Sequence, residues 1–343
     1  MTTPPDAVGY VADRLDALVA AFGLEAEAER VREVFDVVCG RALDFPLAQG
    51  PAGRSRLNED GTPIQFATSV GPGPGALRFV ADPGPFHAGV VARIRAGREA
   101  LRSAATLIGA ETELAAVALL IGDLAPEDSP ALRADPAGAF WIGAAFAPGA
   151  APRLRVYVNG GWGSPAARAA RLRRFAEHFG RTPAWDDLAA RLPTALAPLG
   201  LALTLTPGRP TRGAIYLRAF GLRLAEYAAV AGAGAERIRH FGELLLGADA
   251  DCPAPSAVLS FGFGAEPGLP AELEYCTHCL YPDDAAAGAA LERLFADAGV
   301  DPSPYRALSR GLAPHRHCFI GADGKAATSA YTVYMRPDLT PRR

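Results

Sequence analysis

The stretch that decides the fold is Arg153-Leu154-Arg155-Val156-Tyr157-Val158. Successive side chains of a strand point to opposite faces, so Arg155 and Tyr157 share one face while Leu154, Val156 and Val158 share the other. The same alternation returns in Arg212-Gly213-Ala214-Ile215-Tyr216-Leu217-Arg218, where Tyr216 and Arg218 oppose Ile215 and Leu217. Three more runs carry Arg or Tyr in this manner: Gly75-Ala76-Leu77-Arg78-Phe79-Val80, Glu272-Leu273-Glu274-Tyr275-Cys276-Thr277-His278 and Ala330-Tyr331-Thr332-Val333-Tyr334-Met335-Arg336. The apolar face of each run must be buried, and a helical stretch follows each of the first four as cover. The Arg/Tyr face then points away from the helices. If the sheet closes, cations and phenols gather in its interior, a place suited to holding an anion.

Working outward, residues 6 to about 44 read as two helices, because Val11, Leu15, Leu18 and Val19 recur at helical spacing, as do Val31, Val34, Phe35 and Val38. Gln49-Gly50-Pro51-Ala52-Gly53 ends this prelude. A hairpin is expected from Ile64 to Val70 and Ala76 to Ala81 around the loop Gly71-Pro72-Gly73-Pro74-Gly75. Helical periodicity follows to Gly122, with Val90, Ile94, Leu101, Ala105 and Ile108 on one stripe, on which Gly97 also falls. Further hairpins are expected at about 139 to 159, 201 to 218, 257 to 280 and 316 to 336, with helices to about Leu199, Leu246 and Leu312 between them. Phe179-Gly180-Arg181-Thr182-Pro183 resembles Ala298-Gly299-Val300-Asp301-Pro302-Ser303-Pro304, each with a glycine at a helix end and a proline just inside the next helix. The chain is thus expected to be one domain over 1–343. Its repeats are placed at about 64–125, 139–199, 201–246, 257–312 and 316–336, with helices within 1–48 packed on them. Strand pairs alternating with helix pairs imply a closed ten-stranded antiparallel β-barrel surrounded by α-helices.

Of the 343 residues, 50% are apolar and 21% charged, enough to build a large core. A net charge of -3 with intermixed signs excludes non-specific nucleic-acid binding. Lys325 is the only lysine, so the arginine count reflects the composition at large and only arginine placement is informative. No segment approaches the roughly 20 apolar residues of a membrane span, and Met1-Thr2-Thr3-Pro4-Pro5-Asp6 lacks signal-peptide features, so a cytoplasmic protein is expected. Five scattered cysteines fit a reducing compartment.

The repeat order, the run Leu57-Asn58-Glu59-Asp60-Gly61-Thr62-Pro63-Ile64-Gln65-Phe66 and the Arg-x-Tyr strands resemble the ABBA aromatic prenyltransferases, especially the dimethylallyltryptophan synthase branch, over roughly residues 50 to 337. The resemblance implies a barrel that binds an isoprenyl diphosphate, dimethylallyl or longer, beside an aromatic small-molecule or peptide acceptor. It requires no other cofactor, with magnesium optional. Carried over by position, it assigns the diphosphate to Arg78, Arg155 and Arg212, and shielding of the allyl cation to Tyr157, Tyr216 and Tyr334. The family's middle lysine of the sixth strand is replaced by Ala214, and Arg218 on the same face is expected to supply that charge. Indole-directed members carry a glutamate in the first strand as base. This chain has Gln65 there, which can orient an acceptor but cannot take up its proton.

Arg donors stabilise a departing diphosphate and Tyr faces stabilise an allyl cation while excluding water, so this residue mix suits allylic ionisation. Trp141 could stack an acceptor, with Glu274 and His278 completing an acceptor pocket in which they act as acid or base. Cys276 and Cys279 form a Cys-x-x-Cys with His278 between them, but a strand through 272–280 would point the two cysteines to opposite faces, so no metal is assigned. Asp186-Asp187 and Asp283-Asp284 read as acids near helix starts, not as a magnesium motif. A non-catalytic barrel binding an anionic ligand and a zinc-dependent hydrolase remain as alternative functions.

Overall fold

Leu154, Val156 and Val158 are buried against helices while Arg153, Arg155 and Tyr157 face the lumen, as the alternation of that strand requires. The computed structural model describes residues 6–340 apart from 52, 74, 85, 87, 136, 251, 265–267 and 324–329. Pro74 of the expected first hairpin loop and both ends of the expected 1–343 span therefore lie outside the described residues.

Ten strands form one closed antiparallel barrel: β1 Ile64–Val70, β2 Leu77–Ala81, β3 Phe140–Phe146, β4 Arg153–Asn159, β5 Leu196–Thr206, β6 Arg209–Ala219, β7 Ala257–Phe263, β8 Ala271–Cys276, β9 His315–Asp323 and β10 Tyr331–Pro337. Each strand pairs with its neighbours in sequence, and β1 closes on β10 through a register that sets Ala67 opposite Tyr334 and Ser69 opposite Thr332. Helices α1 Ala7–Ala21 and α2 Ala28–Cys39 precede the barrel. The first two hairpins are followed by α3 Val90–Ile108, α4 Glu111–Leu124 and α5 Pro130–Arg133, then by α6 Pro165–His178 and α7 Thr182–Ala189. The next two are followed by α8 Leu224–Val230 and α9 Ala235–Leu246, then by α10 Thr277–Leu280, α11 Asp284–Asp297 and α12 Ser303–Leu312.

Among the described residues, no helical pair follows the hairpin β9–β10. The N-terminal pair fills that gap, with α1 packed on α12 and α2 on α3, β2 and β3. The core is the annulus between strands and helices. Phe35, Phe66, Phe79 and Phe146 stack in one sector of it, Phe175, Phe179, Phe263 and Trp185 in a second, and Phe241, Tyr275, Tyr331 and Phe295 in a third. Each large side chain so buried contributes about 1.5–3 kcal/mol. The lumen holds a small apolar cluster of its own, Ala202, Ala214, Tyr216 and Val258.

Gly180 and Gly299 both close their helices at positive φ, 64° and 65°, and Pro183 and Pro304 open the helices that follow, as the resemblance between the two segments implies. Gly97 does not interrupt α3. A Cβ there would come within 3.0 Å of the Phe140 ring, so the glycine lets α3 lie close to β3.

Two boundaries differ from the sequence reading. Leu196–Leu199, expected to be helical, opens β5, where a register shift between Pro198 and Gly200 accommodates the missing proline N–H. Strand β8 stops at Cys276, and Thr277–Leu280 is a helical turn.

Gly213 sits on the outer face of β6, where a Cβ would lie 2.5–2.7 Å from the rings of Phe175 and Phe179. Gly213→Ala must displace two packed rings and is expected to destabilise the fold by about 1–3 kcal/mol. Urea denaturation would read this as a lower midpoint at unchanged m-value; an unchanged midpoint would contradict the packing described for this sector.

Candidate active site

Pairing across the sheet sorts the lumen by residue size. Ala67 and Ala145 stand opposite Arg78, Gly143 and Thr204 opposite Arg155, Ala202 opposite Tyr157, and Gly321 opposite Glu274. Small residues beside each large polar one hollow the interior into two adjoining cavities. One, of about 250 Å³, is lined by Ser69, Arg78, Arg153, Arg155, Arg212 and Glu272 among others. The second, of about 160 Å³, is lined by Gln65, Trp141, Leu199, Arg218, Val258 and Phe319 among others. Val80, Tyr157, Glu274 and Tyr334 border both.

The first chamber is cationic. Arg78 donates to Ser69 Oγ and reaches Thr332 Oγ1 at 3.5 Å, and Arg155 donates to the Tyr216 hydroxyl. Among the described residues none of Arg78, Arg153, Arg155 and Arg212 forms an ion pair with a carboxylate. The crowding is felt at Arg153, whose guanidinium is pushed down to about 10 by burial and by the charges of Arg78, Arg212 and Arg155. Burial also opposes the charge of Arg155, but the Tyr216 oxygen that accepts its hydrogen bond and the Glu272 carboxylate act the other way, and its pKa lies above the ordinary guanidinium value.

Three tyrosines divide this chamber from the second. The Arg155 guanidinium lies 5.4 Å from the Tyr157 ring centre and 5.6 Å from that of Tyr216, and the two rings are 5.8 Å apart. Burial raises the phenols of Tyr157, Tyr216 and Tyr334, so all three are neutral near pH 7. The Tyr334 hydroxyl donates to Glu274 Oε1 at 3.1 Å. Glu274 itself is pushed up to about 7, first by burial and then by neighbouring Glu272. A carboxyl group poised near neutrality at the junction of two cavities can accept a proton there.

In the second chamber Gln65 is fixed by its neighbours. Asn58 gives its Nδ2 to the carbonyl oxygens of Thr62 and Ile64, at 2.6 and 3.2 Å, so its Oδ1 must accept, and Gln65 Nε2 donates to it at 2.7 Å. That commitment leaves Gln65 Oε1 as the atom offered to the chamber. Trp141 lines the same cavity, and its Nε1 and the Nε of Arg218 have no hydrogen-bond partner among the described residues.

Of the residues expected from sequence, Arg78, Arg155 and Arg212 share the first chamber, Tyr157, Tyr216 and Tyr334 the divide, and Gln65 and Trp141 the second chamber. Arg218, expected beside the diphosphate, is instead in the second chamber. It shares a face with Arg212 but sits six residues along β6, about 20 Å at strand rise. His278 lines neither cavity, because β8 ends before it and the turn carries it to the barrel rim, where its Nε2 lies 2.5 Å from Glu59 Oε2. Sequence reasoning passed over Arg153 and Glu272, although each sits two residues before a lumen residue it did identify. It also passed over Asn58, whose partnership with Gln65 no local pattern announces.

No protein-family model matches the chain, and no curated protein matches it by sequence. Its fold does match solved structures over nearly its whole length. The 5-dimethylallyltryptophan synthase of Streptomyces coelicolor superposes with a TM-score of 0.85 at 23% identity, covering 99% of this chain and 100% of that one, and has also been solved with DMASPP and Trp. The prenyltransferase PriB, solved with L-tryptophan and dimethylallyl thiolodiphosphate, gives 0.84 at 20% identity, covering 99% and 98%. The 6-dimethylallyltryptophan synthase of Micromonospora olivasterospora, in complex with DMASPP and Trp, gives 0.83 at 18% identity, covering 98% and 100%. The fold is therefore the prenyltransferase barrel, as the sequence resemblance implied.

The raised Glu274 carboxyl has a consequence for stability. Between pH 4.5 and about 7 the unfolded chain has released this proton while the folded protein retains it, so folding weakens as pH rises through that window. Glu274→Gln, which never ionises, is expected to be more stable than the parent by on the order of 2 kcal/mol at alkaline pH and equal to it in acid. Denaturant midpoints across the pH range would check this, and a difference that grows toward acid would contradict it.

Proposed function

We propose that the protein transfers an isoprenyl group, dimethylallyl above all, from its diphosphate to an electron-rich aromatic acceptor, with an indole compound bearing a carboxylate as the favoured class. One observation carries the reading: four arginines, none in a direct ion pair among the described residues, face a cavity that neutral tyrosines border on the side of an apolar one. The fold shared with three proteins solved with Trp and a donor analogue agrees with it. Arg78, Arg153, Arg155 and Arg212 hold the diphosphate and take up the charge that develops as the allylic C–O bond breaks. Tyr157, Tyr216 and Tyr334 face the resulting cation and keep water from it.

The acceptor ring lies against Trp141, with its N–H or O–H donating to Gln65 Oε1 and its carboxylate beside Arg218. Attack by the ring forms the new bond to the allyl carbon, and the arenium ion then gives its ring proton to Glu274. This places the base on the eighth strand instead of the first. Ionised Glu274 is the competent form, so the chemical step speeds up as pH rises through about 7. The whole described chain serves this one site, since strands from every hairpin line it.

Incubation with dimethylallyl diphosphate and a panel of indoles, phenols and peptides, read by mass, is expected to yield a product heavier by one isoprenyl group, with L-tryptophan among the substrates. Tight donor binding with no product from any acceptor would leave an anion-binding barrel in its place. Arg155→Ala removes a charge-assisted contact and is expected to lower the rate by roughly 30- to 1000-fold with weaker donor binding. Gln65→Ala leaves donor affinity nearly intact and changes acceptor use or the alkylated atom; loss of donor binding in this variant would refute its placement. Glu274→Gln is expected to lower kcat by about 10²- to 10⁴-fold with donor affinity kept, and to flatten the pH profile near neutrality.

A further inference from the structure

We propose that Cys276, His278 and Cys279, with Glu59 as fourth ligand, form a site for a borderline-soft divalent cation of the zinc type on the rim of the barrel. The sequence reading set zinc aside because a strand would splay the two cysteines. The chain instead turns at Cys276, and one helical turn over Thr277–Leu280 swings Cys279 back to the same side. The two Sγ atoms lie 2.8 Å apart, Cys276 Sγ is 3.1 Å from His278 Nδ1, and one donor atom from each of the three residues falls within 4.8 Å of the others. Glu59, far away in sequence, brings a carboxylate oxygen to 2.5 Å from His278 Nε2.

Two sulfurs, an imidazole and a carboxylate form a donor set that zinc accepts and that magnesium or calcium, which take oxygen ligands, does not. A tetrahedral ion holds its ligand atoms about 3.5–4 Å apart, so the group must open by up to about 1 Å to admit it. The side chains of His278 and Glu59 are 37% and 53% exposed, which leaves them room to do so. Binding would release the two thiol protons to solvent.

The place of the site gives it a role. Glu59 belongs to the Ser55–Thr62 segment, whose Arg56 and Leu57 line the second chamber and whose Asp60 takes the Arg336 guanidinium at 2.5 Å. An ion joining Glu59 to the end of β8 would fasten this segment across the barrel end without entering either cavity, so the proposal stands apart from the transferase reading. The other compact group of such side chains, Asp284, His315 and His317, is less suited. His317 already spends one ring nitrogen on Asp284 and the other on Tyr305, at 2.9 and 3.1 Å.

The test uses the full chain, reduced and stripped with chelator, then titrated with Co²⁺ and Zn²⁺. One equivalent should bind, with a thiolate-to-cobalt charge-transfer band that zinc abolishes. Cys276→Ser and Cys279→Ser should lose the band, His278→Ala and Glu59→Gln should weaken binding by at least about 10-fold, and Cys252→Ser should change nothing. Should the cysteine variants fail to fold, alkylation of the parent protein decides. Zinc must protect Cys276 and Cys279 while Cys252, which is exposed, stays reactive. The proposal falls if the parent gives no cobalt band, or if zinc leaves the alkylation of Cys276 and Cys279 unchanged.

Discussion

Four guanidinium groups converge on one chamber, none of them in a direct ion pair among the described residues and outnumbering the two carboxylates, Glu272 and Glu274, that line it with them, and the rest of the structure is arranged to tolerate that crowding. Taking a cation out of water costs several kcal/mol, so such a cluster would unfold a protein whose core it occupied. Here it does not occupy the core. The main apolar packing is in the annulus between strands and helices, with a small cluster around Tyr216 and Val258 in the lumen, and closure of the sheet satisfies the backbone without help from the arginines. The interior can thus remain polar and strained by like charge, held in readiness for an anion that would relieve it.

The period of two along a strand then orders the chemistry. Arg155 and Tyr157 are neighbours on one face, about 7 Å apart along β4, and the same step separates Glu272 from Glu274 on β8. Successive rungs of the barrel therefore pass from the arginines through the tyrosines to the apolar chamber. Arg155 also grips the Tyr216 hydroxyl, so a guanidinium of the cationic chamber orients one of the rings beside the apolar one. Glycine 321 contributes by absence: a Cβ there would meet Glu274 Cγ at 2.8 Å, and only glycine leaves that carboxylate its place at the divide.

Face and depth were not equally legible in the sequence. Alternation is local, so the lumen face of β2, β4, β6 and β10 could be read residue by residue, and the ββαα order implied closure. How far along the barrel a side chain lies depends on register and stagger, which pairing with distant strands decides. Arg218 for that reason lies in the other chamber from Arg212, although both share one face of β6. The end of β8 was lost for a related reason: Thr277 and His278 continue the alternating pattern, and nothing local signals that the chain turns there. Arg153 and Glu272 carried the same signal as the residues identified beside them.

The glutamine at the first strand has a physical reason in its neighbour Asn58. A glutamate at position 65 would face Asn58, whose Oδ1 is already forced to accept because its Nδ2 serves two carbonyl groups. Two acceptors cannot face one another without a proton between them, so this Asn58 geometry favours glutamine and disfavours an ionised acid. At position 274 the neighbours are different: the Tyr334 hydroxyl donates to the carboxylate, Glu272 and burial hold its pKa near neutrality, and Gly321 leaves it room. The electrostatics that make Gln65 a fixed hydrogen-bond acceptor and those that make Glu274 a titrating one thus come from separate strands, and a change at either would leave the other standing.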